Sequence, residues 1–244
     1  MAETPARGIA VSTVGLVVAG LICQEVGAAV AVTVFPQVGS TGMVALRLFF
    51  SAVVLLIVFR PRLRGRTRAD WLTVVAFGLV LATMNTLFYA ALNYLHLGVT
   101  LTFEILGPLI LSVVISRRAS SWLWAVLAFG GVALLARGGF TDLDPLGVVL
   151  ALGAGAMWVG YILLAGRTGQ HFSRLDGLAI AMAIGAIVTV PFGVATAGAA
   201  IFRPEVLLFG FAVALLSSAI PYGLELLALR RMPASTFSIL LSLA

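Results

Sequence analysis

The sequence predicts an all-α polytopic membrane protein, and three observations predict it. Of 244 residues, 61% are hydrophobic and 10% charged, with a mean hydropathy of +1.15. A water-soluble domain of this length would carry that excess on its surface. The apolar residues also fall into stretches of about 20, the helical length that crosses a bilayer core. Finally, arginine occupies every second gap between the stretches. Arg7; Arg60, Arg62, Arg64, Arg66 and Arg68; Arg117 and Arg118; Arg167 and Arg174; and Arg230 and Arg231 make twelve. The intervening gaps hold only Arg137 and Arg203, and Arg47 lies inside a span. Cytoplasmic loops retain positive charge during insertion, so this asymmetry counts the spans and places the N-terminus in the cytoplasm.

Spans are expected at about 9–34, 42–59, 70–94, 98–116, 121–137, 145–165, 177–198 and 205–229. The first is too long for the apolar core of a signal peptide and reads as an uncleaved span. Pro36 and Gly39 close it, Pro61 closes the second, and Gly138 with Gly139 closes the fifth. Asp144-Pro145 opens the sixth and Pro204 the eighth, each with proline in the first helical turn. Trp71, Trp122 and Trp124 stand at cytoplasmic span starts, as interfacial anchors do. A ninth span begins near Ser235 and stops at Ala244. About ten residues do not cross a hydrocarbon core, so the chain is expected to end in mid-helix, as a gene fragment would.

The net charge of +6 is explained by insertion topology and lipid headgroups, so no nucleic-acid partner is expected. Cys23 is the single cysteine, which allows neither an internal disulfide nor a cysteine metal cluster. His96 falls on the outer side and His171 on the inner side, so they do not form one site. There is no HExxH, no Gly-x-Ser-x-Gly and no phosphate-binding loop. A lipid-acting membrane enzyme would need a nucleophile beside a base. No catalytic residue, metal or cofactor is expected. The partners expected are a small-molecule substrate and the bilayer, with the protein a monomer or homodimer.

Intramembrane ionisable residues are costly and are the first candidates for function. There are four: Glu25, Arg47, Glu104 and Glu225. Arg47 and Glu104 each lie about six residues inside the outer end of their spans, roughly 9 Å deep at 1.5 Å per residue. They form either a buried ion pair that holds two helices together or a charge pair that releases to bind a charged substrate or proton. Glu25, deeper and next to Gln24, either lines a polar cavity or bonds between helices. Glu225 lies a few residues before Arg230, which predicts a carboxylate snorkelling to the cytoplasmic interface or a pathway residue. Pro108 removes the helical donor for the Glu104 carbonyl, so a carboxylate and a freed carbonyl occur at one residue. Pro221 does the same for Ser217, beside Ser218 and Tyr222, and Pro191 for Ile187; of these, the Glu104–Pro108 combination is the sharpest. Asn85 and Tyr89 share a helix face at i, i+4. Trp158 and Tyr161 lie mid-span and either pack against neighbours or offer aromatic faces to an ammonium. Small residues at Ala151/Gly155, Ala156/Gly160 and Gly177/Ala181/Gly185 predict close helix contacts.

Leu92–Gly107 and Leu229–Ala244 both run from a polar turn through small residues and a Thr–Phe pair into an apolar helix. Five spans separate them, an odd number, so the copies are inverted, a feature of transporters. At FPQVGSTGMVALRL (35–48), LGVTLTFEILGPL (97–109), SRR (116–118), LALGAGAMWVGYIL (150–163) and AIPYGLELLALRRMPASTFSILLSL (219–243) the chain resembles the EamA-type transporters of the drug/metabolite transporter superfamily. Within these it is most similar to the bacterial threonine/homoserine exporter branch. The resemblance implies ten helices in two inverted five-helix repeats, of which about eight and a half are present. The first repeat would span 1–138 and the second 139–244. It also implies that Arg47, Glu104 with Pro108, Trp158 with Tyr161, and Glu225 occupy shared positions. The function expected is export of small metabolites, amino acids above all, across the bacterial inner membrane, driven by proton flux through Glu104 or Glu25. The alternatives are a drug or nucleotide-sugar carrier of the same superfamily and a non-transporting membrane subunit.

Overall fold

The structure is a computed structural model that describes residues 6–116, 130, 143–173, 175–231 and 237. The expected fifth span, with Arg117, Arg118, Trp122, Trp124 and Arg137 around it, lies outside these residues apart from Gly130. So does the ninth apart from Phe237.

The first helix, α1 (Ala6–Phe59), has 54 residues, which at 1.5 Å each exceeds two bilayer cores of about 30 Å. Gly39, at φ 70° and ψ 171°, divides it into two arms. The gap expected over residues 35–41 therefore shrinks to one residue, and Pro36 lies within the helix instead of ending it. Proline alone kinks; it takes a glycine, which lacks Cβ, to adopt that positive φ without strain. The second helix, α2 (Arg68–Ala91), begins directly after the arginine run. Its start is fixed by a reciprocal cap: Asp70 N–H donates to Thr67 Oγ1 (3.2 Å) and Thr67 N–H to Asp70 Oδ2 (3.0 Å).

The fourth span is two pieces, α3 (Leu97–Glu104) and α4 (Leu106–Ser116), interrupted at Ile105. The ladder resumes at once, with Leu109 N–H donating to Ile105 O (3.2 Å). The fifth described helix, α5 (Pro145–His171), is capped as expected: the Asp144 carboxylate accepts from Leu146 N–H (2.8 Å) and Gly147 N–H (3.4 Å). It is followed by α6 (Asp176–Ala197), a 3-10 turn (Gly198–Phe202) and α7 (Pro204–Ala214). A π turn (Leu215–Ala219) joins α7 to α8 (Ile220–Leu229). Pro204 to Leu229 is thus one continuous apolar rod carrying a π bulge.

Five segments are long and apolar enough to cross a membrane: Thr13–Phe59, Arg68–Ala91, Pro145–His171, Asp176–Phe202 and Pro204–Leu229, with a shorter one at Leu97–Leu111. Since Thr13–Phe59 holds two arms, seven of the eight expected spans are accounted for, and the protein is an all-α polytopic membrane protein. The exposed residues agree: Ile57, Val114, Ile187 and Leu208 are 64–73% exposed on the outside of the bundle, a surface suited to acyl chains rather than water. Polar side chains point the other way, with Tyr89, Tyr161 and Tyr222 at 0–1% exposure.

α1 packs along α6 and also against α7, the π turn and α8, while α2 lies against α5 and α6, and both α3 and α4 against α5. Small residues permit these approaches. An added Cβ at Gly78 would lie 2.7 Å from Ala181 O, and one at Gly185 within 3.5 Å of Gly78 O. One expected stripe is only half used: Gly160 meets Val80, but Ala156 is exposed.

Candidate functional site

The second arm of α1 carries Arg47 into the bundle, where it is 2% exposed. The helices facing it supply its partners. Its Nε donates to Ser218 Oγ, and its Nη2 to the Ser217 carbonyl and to Tyr222 Oη (3.2 Å). The Ser217 carbonyl is free to accept because Pro221, four residues on, has no N–H. The π turn widens the backbone at the same place. Close contact across this point needs glycine: a Cβ at Gly27 of α1 would lie 2.5 Å from Ser217 Cβ. Two rings flank the guanidinium, Tyr89 at 5.2 Å and Tyr222 at 5.8 Å.

Around Arg47 lies a cavity lined by Gln24, Glu25, Asn85, Glu104, Trp158 and Tyr222, together with Ala28, Met84 and Phe88. Its volume is about 10 Å³, room for about one water molecule. Asn85 donates from Nδ2 to Leu81 O (2.7 Å) and to Tyr222 Oη (3.4 Å). One cation, two carboxyl groups and an indole thus face one small space at the centre of the bundle. Such an arrangement holds charges of both signs at once, which is what a zwitterion requires.

Of the nine residues expected in the pathway, Glu25, Arg47, Asn85, Glu104 and Trp158 line this cavity, and Tyr89 stacks against Arg47. The matched depth expected for Arg47 and Glu104 fits their sharing it. The ion pair does not form. Among the described residues no carboxylate lies within 4 Å of Arg47, because the guanidinium is held by Ser217, Ser218 and Tyr222. Of the two readings of Glu225, the snorkelling one fails. The side chain does not snorkel to the interface but is 0% exposed, its Oε2 accepting a hydrogen bond from Tyr161 Oη (2.7 Å). Helix rotation decides this: Glu225 points inward, and five residues later Arg230 turns outward to donate to Phe172 O (2.7 Å).

Pro108 does not line the cavity. The helix breaks at Ile105, and the Glu104 carbonyl faces α5 rather than an aqueous space; a Cβ at Gly155 would lie 2.5 Å from that oxygen. Pro191 and Ile187 are exposed on the bundle surface, away from the cavity. Ser217, Ser218 and Tyr222, which hold Arg47, are site residues beyond the expected nine. Their signal was the freed carbonyl before Pro221, ranked below the one before Pro108. Among the described residues no three His, Cys, Asp or Glu side chains come together as metal ligands.

Residues 145–244 match the EamA-like transporter family. The chain is 39% identical over 219 residues to the threonine/homoserine exporter RhtA of Salmonella typhimurium (strain LT2), covering 89% of this chain and 74% of that protein. To the threonine/homoserine exporter RhtA of Escherichia coli (strain K12) it is 38% identical, with the same coverage. The aligned stretch covers most of both proteins. The chain belongs to the EamA-like transporter family.

Proposed function

We propose that this protein exports small neutral amino acids of the threonine and homoserine type across the bacterial inner membrane, with its N-terminus cytoplasmic. The observation that carries this reading is the shared cavity of Arg47, Glu25 and Glu104 in a chain 38–39% identical to threonine/homoserine exporters. Arg47 meets the substrate carboxylate, either bidentately or as a fork shared with Ser218. Glu25, Glu104 and the Trp158 face meet the ammonium. At about 10 Å³ the cavity is in a contracted state, so loading requires the helices around it to part.

The pairing of helices supports two inverted repeats, 1–138 and 139–244. A two-fold exchange of the halves maps the α2–α5 contact onto that between the first arm of α1 and the last described span. It maps the second arm of α1 against α6 onto itself. Both kinds of contact are present.

The test is export by the full-length protein in cells loaded with threonine, homoserine, an aromatic amino acid and a nucleotide sugar in turn. Extracellular threonine and homoserine should rise over a vector control, and accumulation of the nucleotide sugar alone would refute the reading. Glu104→Gln removes a cavity charge without changing its shape. It should abolish uphill export, and unchanged pH-dependent export would remove Glu104 from the pathway.

A further inference from the structure

Glu225 is a second buried carboxyl group that the cavity does not use. It is 0% exposed and absent from the cavity wall. Its Oε2 takes one hydrogen bond from a neutral donor, Tyr161 Oη, at 2.7 Å. Its Oε1 has no partner among the described residues, and no cation there lies within 4 Å. The groups that face it are Tyr161 on α5, Tyr222 on its own helix and, farther off, Arg47 on α1 and Glu104 on α3. Arg47, the one cation among them, is committed to Ser217, Ser218 and Tyr222. An ion left fully buried with one neutral donor is unfavourable relative to the neutral acid.

The enclosure is nonetheless connected to the cavity. The rings of Tyr161 and Tyr222 lie 5.3 Å apart, and Tyr222 lines the cavity while accepting from Arg47 and Asn85. Two adjoining tyrosine rings therefore separate Glu225 from the cavity where the substrate would bind.

We propose that Glu225, with Tyr161 as its positioning residue, is the proton-carrying site of the transport cycle, distinct from the substrate cavity. This rests on the amino-acid export proposed above and deepens it. An ammonium group arriving beside Tyr222 stabilises the ionised carboxylate and drives its proton off. Proton and substrate thus oppose each other's binding, and opposed binding is the condition for exchanging one against the other across the membrane. The proton enters from the outer side after substrate release and leaves to the cytoplasm when the next substrate binds.

The experiment is infrared difference spectroscopy on purified full-length protein at neutral pH, joined to transport in proteoliposomes. Wild type should show carboxylic-acid C=O intensity that shifts in D2O and weakens when threonine is added; Glu225→Gln should lose part of that intensity, and that part should be present in Glu104→Gln before threonine is added. Absence of the band from wild type, or an undiminished band in Glu225→Gln, overturns the proposal. Tyr161→Phe keeps the carboxyl group and removes its partner, so the band should titrate at a displaced pH; an unmoved midpoint also overturns the proposal. In proteoliposomes Glu225→Gln should retain threonine exchange within about twofold and lose about tenfold or more of accumulation driven by a pH gradient. Retained gradient-driven accumulation refutes the assignment. If wild type moves no amino acid at all, the export reading fails while the infrared result still decides where the proton sits.

Discussion

At Arg47 the chemistry depends on shape as much as charge. A guanidinium 2% exposed is tolerable in a bilayer because its donors are already directed at Ser218, the Ser217 carbonyl and Tyr222. Lysine keeps the charge but replaces the planar fork with a compact, strongly hydrated ammonium that does not span those acceptors. Arg47→Lys should therefore lower export by about tenfold or more, the worth of ~1.4 kcal/mol, with normal membrane expression. Export rates per unit of protein at saturating and limiting substrate check this, and wild-type rates would show that charge alone suffices. Sequence depth was enough to bring Arg47 and Glu104 to one level. It was not enough to identify their partners, because depth fixes position along a helix axis and not rotation about it. Glu225 illustrates the same limit: its distance from Arg230 suggested an interfacial carboxylate, yet five residues at about 100° each leave the two about 140° apart around the axis, one inward and the other outward.

The element that shapes the site is the π turn before Pro221. Proline withholds one donor, the bulge widens the backbone, and a fully buried Ser217 carbonyl becomes available to a side chain on another helix. Pro221→Ala returns the missing N–H, which would recapture that carbonyl and leave Arg47 short of an acceptor. Transport should fall several-fold while the melting midpoint in detergent falls or stays level, since a buried charged donor loses its acceptor as one helical bond is regained. Unchanged transport would show that Arg47 does not need Ser217. Pro108 shows why a freed carbonyl cannot be ranked from sequence. The break at Ile105 turns the Glu104 carbonyl onto Gly155, where close helix packing rather than ligand binding uses the space.

Across the molecule, the arginine-rich side is also the side where the halves are fastened by side chains. Arg66 donates from Nη1 to His171 O (2.8 Å), with its guanidinium 4.5 Å from the Phe172 ring. His171 Nδ1 sits 3.3 Å from Asp70 Oδ1 across the same boundary, and within the second half Arg230 donates to Phe172 O (2.7 Å). Replacing Arg66 and Arg230 together by alanine should speed amide exchange through residues 170–173 several-fold, because local opening then breaks fewer bonds. Unchanged exchange would mean that packing alone holds this face. The orientation has its own test. A cysteine at Arg64, with Cys23 replaced by serine, should react with a membrane-impermeant maleimide only after permeabilisation; labelling of intact cells would reverse the topology.

What the sequence determined by itself was the fold class, the approximate positions of the seven spans among the described residues, and the identity of the cavity charges. Each is a one-dimensional quantity: apolar length against bilayer thickness, charge against side, proline and glycine against backbone geometry. What only the tertiary structure decided was which groups meet. Arg47 pairs with Ser217, Ser218 and Tyr222 rather than Glu104, and Glu225 lies sealed beneath Tyr161. The physical reason is that helix rotation and inter-helix approach are set by packing at Gly27, Gly78 and Gly155, contacts between residues far apart in the chain. In a helix apolar on nearly every face, no amphipathic stripe announces which side will turn inward.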